Sequence, residues 1–223
     1  VPQDPDGFHR FVESYRRSMN GEESGDPIVD SFVELNQRLE FDPRWVDAFL
    51  HSMELDLTKR VYLTLDETLE YIYGSAEVIG LFMSKILGLD EAAYPYAELQ
   101  GRSMQFINFI RDVDEDRCLG RTYLPLEDSG FGALSESVAR AHPERFAAFI
   151  NRQIDRYLAW QREAEARYRF IPKRYLVPIK TASDMYNWTA NRIAADPFIV
   201  FDRQVKPSKG RVLMTALGNL LTA

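Results

Sequence analysis

Apolar residues recur along most of the chain at the three- and four-residue intervals of amphipathic helices, and proline beside an acidic residue punctuates them. Asp26-Pro27 reads as an N-cap with proline in the first turn, opening PIVDSFVELNQRL. Asp42-Pro43 repeats the device before RWVDAFLHSMELDL. Thr64 starts LDETLEYIYGSAEVIGLFMSKIL, which stops at Gly88, a residue suited to the left-handed turn that ends helices. Tyr94 to Asp116 forms a further long helix. Ser135-Glu136 and His142-Pro143 introduce two more, the second carrying ERFAAFINRQIDRYLAWQREAEARY. Pro172 and Pro178 bracket a break, after which IKTASDMYNWTANRIAAD is helical up to Asp196-Pro197. FIVF is short and isolated, RTYLP is the only other strand candidate, and RQVKPSKGR reads as a solvated basic tail. The fold class is therefore all-α, a helical bundle of six or seven helices of about 15–25 residues in one domain over residues 1–223.

Composition narrows the function classes. No run approaches the roughly 18 apolar residues of a membrane span, and the most apolar stretch, Val78 to Leu89, contains Lys85. A net charge of −7 argues against non-specific nucleic-acid binding, which needs a basic surface. It leaves room for an anionic ligand bridged to carboxylates by a divalent cation. Cys118 is the only cysteine, so an internal disulfide is excluded and a reducing compartment fits. His9, His51 and His142 are scattered without zinc-type spacing.

The chemistry concentrates in QFINFIRDVDEDRCLGRTYLP, residues 105–125. At 100° per residue, with Gln105 as zero, Asn108 falls near about −60°, Asp112 near about −20° and Asp116 near about +20°. The four share one stripe, flanked by Arg111 and Glu115 and bordering the apolar Phe106, Phe109, Ile110 and Val113. A solvated helix face accounts for the acidic residues alone. Gln and Asn suit such a face poorly, because they add no charge and Asn weakens a helix. An Asn followed by two Asp at four-residue spacing is a row of oxygen donors, the type Mg²⁺ prefers.

This stretch resembles the second aspartate-rich signature of the squalene and phytoene synthase family, roughly Q-x-x-N-x-x-R-D-x-x-E-D followed by a G-R-x-Y-L-P turn. Gln105, Asn108, Arg111, Asp112, Glu115, Asp116, Gly120, Arg121, Tyr123, Leu124 and Pro125 match it. YIYGSAEVIG resembles the family's tyrosine-rich helix, with Tyr71, Tyr73, Ala76 and Gly80 in register. MELDLTKRVYLTLDETLEY, including Asp56, resembles the segment before it, and ASDMYNWTANRI puts Tyr186 where the family carries a diphosphate-binding tyrosine. Glu77 stands where glycine is usual and Ser75 where valine is frequent. A first motif of D-D-x-x-D type is missing. Asp26 and Asp30 have suitable spacing, but Asp26 already serves as a cap. The chain, which starts at Val1, is expected to begin just downstream of the true first motif, N-terminally incomplete.

The resemblance implies an isoprenoid synthase fold with a central prenyl cavity and head-to-head condensation of two prenyl diphosphates. Of its members, the chain is most similar to archaeal and bacterial phytoene synthases, which join two geranylgeranyl diphosphates through a cyclopropyl diphosphate. It implies Mg²⁺, with Mn²⁺ as a substitute, held by Asn108, Asp112 and Asp116. It implies catalytic roles for Tyr71, Asp112 and Asp116, and substrate binding by Gln105, Arg111, Tyr186, Arg121 and Tyr123. Tyr71, Tyr73, Phe82, Phe106 and Phe109 are aromatic faces available to a carbocation, and Gly74, Ser75 and Gly80 are small residues that leave room for a tail or pack helices closely. Squalene or dehydrosqualene synthesis from farnesyl diphosphate is the alternative, with NADPH in the squalene case alone. A head-to-tail prenyltransferase, a terpene cyclase and a non-catalytic assembly factor are further rivals. A cytoplasmic location with peripheral membrane contact is expected from a hydrocarbon product; oligomeric state and substrate chain length stay open.

Overall fold

Three Asp-Pro pairs start three helices in the same way. The carboxylates of Asp4, Asp26 and Asp42 accept hydrogen bonds from the amides of Gly7, Ile28 and Arg44, each with proline in the first helical turn. The helices are α1 (Pro5–Met19), α2 (Pro27–Leu39) and α3 (Pro43–Thr58). A capping box between Thr64 and Glu67 opens α4 (Leu65–Ile72), and a π-helical turn, Tyr73–Glu77, joins it to α5 (Val78–Leu87). Then come α6 (Tyr94–Arg111), α7 (Val113–Cys118), α8 (Leu126–Ser129), α9 (Glu136–Ala141), α10 (Pro143–Glu165), α11 (Lys173–Ala195), α12 (Ile199–Asp202) and α13 (Lys209–Thr222). This is a computed structural model, and it describes residues 3–222. The only bridge of β type among them is an isolated parallel pair, Val61 with Thr122.

Helix α6 is the centre of the bundle. It packs against α4, α5, the π-turn, α10 and α11. Phe106, Ile107 and Ile110 of α6 meet Phe146, Phe149 and Ile150 of α10 and Tyr71 and Ile72 of α4 in the larger apolar cluster. Each such side chain, when fully buried, stabilises the fold by about 1.5–3 kcal/mol before entropy is counted. A smaller cluster joins Phe41, Val46 and Leu50 to Val78 and Phe82. Gly80 and Gly101 let α5 and α6 touch. A Cβ on Gly80 would overlap the Ala97 carbonyl, and one on Gly101 the Ala76 carbonyl.

The helical class holds, with differences in detail. Residues 5–19 form α1, a helix not among those read from the sequence; its Asp4-Pro5 cap is the third copy of the start at Asp26-Pro27 and Asp42-Pro43. Pro178 does not break α11, which runs from Lys173 to Ala195 with the proline inside it. The missing amide costs one bond to the exposed Arg174 carbonyl, where water can substitute. The long helix expected from Tyr94 to Asp116 is interrupted at Asp112, whose ψ of 19° flattens the turn between α6 and α7. Of FIVF, residues 199–201 are helical, within α12, with Phe198 at its N-cap, and the basic tail leads into α13, where the Ser208 hydroxyl accepts from the Arg211 amide. Asp30 accepts hydrogen bonds from Ser18 and Ser24, so DPIVD is a cap and a loop tether.

Candidate active site

The π-turn shapes one wall of the site. Val78 donates to the Tyr73 carbonyl, one residue further back than in an α-helix. Just before this turn, the Tyr71 carbonyl accepts from Ser52 Oγ of α3 at 3.0 Å. Gly74 fits the π-turn against α3, because a Cβ there would overlap the Ala48 carbonyl and Ser52 Oγ. Glu77, only 2% exposed, is held by Arg102 of α6 through bonds of 2.7 and 3.1 Å. A buried carboxylate is tolerated there because a guanidinium meets both its oxygens.

Between α5, α6, the Tyr168–Phe170 turn and α11 lies a cavity of about 400 Å³. Its walls are mainly apolar, including Ile79, Met83, Leu87, Met104 and Ile171. Gln105, Asn108 and Tyr186 also line it. Asn108 Oδ1 is buried without a hydrogen-bond partner. On the opposite wall the Tyr168 hydroxyl is fully engaged, at 2.7 Å from Gln100 Oε1 and 2.6 Å from Ser183 Oγ.

A second cluster stands beside this cavity. The Tyr71 and Tyr123 hydroxyls donate to the two carboxylate oxygens of Asp56 at 3.1 and 2.8 Å. Arg121 donates to the Tyr123 hydroxyl at 2.9 Å and to the Asp56 carbonyl at 3.0 Å. The Tyr123 ring stacks on Phe109, with centroids 4.5 Å apart. Burial above all, and then the neighbouring Tyr123 and Asp56, push the Tyr71 phenol far above its ordinary value, so it stays protonated.

The acidic row continues across the break at Asp112. Asp112 N donates to the Asn108 carbonyl and Asp116 N to the Asp112 carbonyl, both at 2.8 Å. Arg111 grips both oxygens of Asp112 at 2.7 and 2.5 Å. Burial, then the charges of Asp112 and Glu115, push Asp116 up to about 7, against a smaller opposing pull from Arg121. An orphaned amide oxygen and a carboxylate crowded by like charges both gain from a hard cation. Among the described residues no group of three His, Cys, Asp or Glu side chains is gathered for a metal.

Of the residues singled out in the sequence, Gln105, Asn108 and Tyr186 come together at the cavity, while Tyr71, Arg121 and Tyr123 gather around Asp56. Phe82 and Tyr73 pack in the smaller cluster with Phe32, Phe41 and Trp45, and Phe106 is sealed against Trp160. They serve the core and offer no face to the cavity. Gly74 serves close packing, Gly80 both packs closely and lines the cavity, and Ser75 lines the cavity. Asp56 is the residue whose role sequence reasoning missed. Its spacing from Tyr71 is no helical interval, and only folding brings it to both tyrosines.

A family model for squalene/phytoene synthase matches residues 3–211. The chain belongs to the squalene/phytoene synthase family. A phytoene synthase of Pseudescherichia vulneris is 29% identical over 213 residues, covering 92% of this chain and 69% of that protein. A 15-cis-phytoene synthase of Synechocystis is 30% identical over 211 residues, covering 86% of this chain and 63% of that protein. The chain thus spans about two thirds of the length of these relatives of the squalene/phytoene synthase family. A dehydrosqualene synthase solved in complex with ligand superposes with a TM-score of 0.82 at 19% identity, over 98% of this chain and 78% of that one. That likeness establishes the all-α fold of this family. Among the described residues, no helix is long and apolar enough to cross a membrane.

Proposed function

We propose that this chain carries a prenyltransferase site of the phytoene synthase type, condensing two geranylgeranyl diphosphates head to head. The observation that carries this reading is the cavity itself: an apolar slot of about 400 Å³ lined also by Gln105, Asn108 and Tyr186. Such a slot suits a ligand with an anionic head and a hydrocarbon tail.

In this reading Asn108, Asp112 and Asp116 hold a divalent cation, which supplies positive charge to the departing diphosphate. Arg111 and Gln105 bind diphosphate oxygens, and Tyr186 stands near Arg111. The first diphosphate leaves an allylic cation, and the double bond of the second substrate attacks it. Proton loss closes a cyclopropyl diphosphate. Departure of the second diphosphate, rearrangement and a second proton loss give the polyene. The dry, apolar walls keep water from quenching the cation. The stacked Phe109 and Tyr123 line a small recess together with Asp116 and Arg121. The Asp56 carboxylate holds the Tyr71 and Tyr123 hydroxyls in place.

The test is product analysis. The protein, both as this chain and with any sequence its gene encodes upstream of Val1, is incubated with Mg²⁺ and separately with geranylgeranyl and farnesyl diphosphate, without NADPH. A forty-carbon polyene from geranylgeranyl diphosphate is the expected product. A thirty-carbon product from farnesyl diphosphate alone moves the assignment to dehydrosqualene synthesis, and no hydrocarbon from either form rejects the enzymatic reading.

A further inference from the structure

Hydroxyls in these helices follow a rule that Ser75 breaks. Ser31, Thr68, Ser84, Thr181 and Thr189 each bond the carbonyl four residues back, at 2.6 to 3.2 Å. Ser52, Ser103 and Ser183 are fully buried and each has a partner on another element. Ser75 Oγ is buried with no partner, although it sits in the middle of a helical segment. The carbonyl four residues before it, that of Tyr71, accepts instead from Ser52 Oγ at 3.0 Å. The π-turn then directs Ser75 to the cavity, which it lines together with Asn108, another side chain with an orphaned buried atom.

The contacts between α5 and α6 fix the level at which Ser75 stands. Gly80 lies against Ala97 and Ala76 against Gly101, so the two helices run antiparallel in that register. Continued by one residue, it sets Ser75 beside Arg102, less than one helical turn from Gln105. We infer that the Ser75 hydroxyl is a hydrogen-bond donor to a phosphate oxygen of the bound prenyl diphosphate, placed on the wall facing Gln105. This inference rests on the function proposed above. It adds a contact from the tyrosine-rich helix to those from the aspartate-rich one, so that the head group is held from both sides of the slot.

The test compares Ser75→Ala, Ser75→Thr and Ser75→Val with the unaltered protein. Threonine and valine have nearly the same shape and differ by the hydroxyl. Binding of inorganic diphosphate and of a non-hydrolysable thio analogue of geranylgeranyl diphosphate is titrated with Mg²⁺ by calorimetry, and melting is followed without ligand. The expected result is about tenfold weaker binding of both probes by the Ala and Val variants, the loss of one hydrogen bond to a charged group. Threonine restores binding, and the ligand-free Ala variant melts no lower than the unaltered protein. A residue with a merely structural role would lower melting and binding together, which overturns the inference. Undiminished binding of either probe by both Ala and Val overturns it too. No binding of the thio analogue by the unaltered protein overturns the proposed function, and this inference with it.

Discussion

The hydroxyl of Tyr71 and the carboxylate of Asp56 are joined by a 3.1 Å hydrogen bond across two helices, and the second oxygen of that carboxylate holds Tyr123. One residue thereby fixes both tyrosines through its carboxylate and, through the bond of Arg121 to its carbonyl, the turn that follows α7. Asp56→Ala leaves two phenols without their acceptor, while Arg121 keeps its bond to the residue-56 carbonyl. It is expected to lower stability by about 2–4 kcal/mol, read as a lower denaturant midpoint. Asp56→Asn keeps one acceptor oxygen and loses less. Equal stability of Asp56→Ala and the unaltered protein would show that the network is idle.

Close approach at Gly74 and Gly101 makes a second prediction. A methyl group at either position overlaps a carbonyl of the neighbouring element, so Gly74→Ala and Gly101→Ala each destabilise by about 1–3 kcal/mol. Gly132 has nothing within 4 Å of its would-be Cβ and is the control, expected to tolerate alanine. Thermal melting of the three variants decides the matter.

The buried Glu77 depends on its partner. Arg102→Met leaves the carboxylate unpaired at 2% exposure, and the expected loss is about 3 kcal/mol. Adding Glu77→Gln to Arg102→Met removes the stranded charge and recovers part of that loss. A double variant no more stable than the single one contradicts this account of the pair.

Asp116 gives stability a pH dependence with a definite sign. Its folded value of about 7 lies above the ordinary 3.8, first through burial and then through Asp112 and Glu115. A raised carboxyl contributes stability that is full below the unfolded value and is lost as pH rises through the folded one. In metal-free buffer the denaturation midpoint therefore falls between about pH 4 and about pH 7, and Asp116→Asn flattens the fall. A midpoint that stays level across that window in the unaltered protein rejects the assignment.

Much of this was legible in the sequence because it depends on local rules. Asp26-Pro27, Asp42-Pro43, Thr64 and Gly88 mark helix ends by chemistry that acts within a few residues. The spacing of Asn108, Asp112 and Asp116 survives the break at Asp112 because the four-residue hydrogen bonds continue through it. Asp56, the Glu77–Arg102 pair and the free hydroxyl of Ser75 were not legible. Each depends on which element lies opposite, and no periodicity within one segment reports that. Helix α13 escaped for a related reason. Leu213, Met214, Leu217, Leu220 and Leu221 point outward while Asn219 turns inward to Thr181 and Asp184, the reverse of the pattern a surface helix displays.

The extra residue of the π-turn also acts as a phase step. It advances every side chain after it by about 100° around the axis. Tyr71 and Ile72 before the step belong to the larger apolar cluster, while Val78 and Phe82 after it belong to the smaller one. A single rod thus changes allegiance midway, keyed into one core by its first half and into the other by its second. Wound as a regular α-helix, the same residues would bring both halves into phase, and the chain would lose a splice between its two cores.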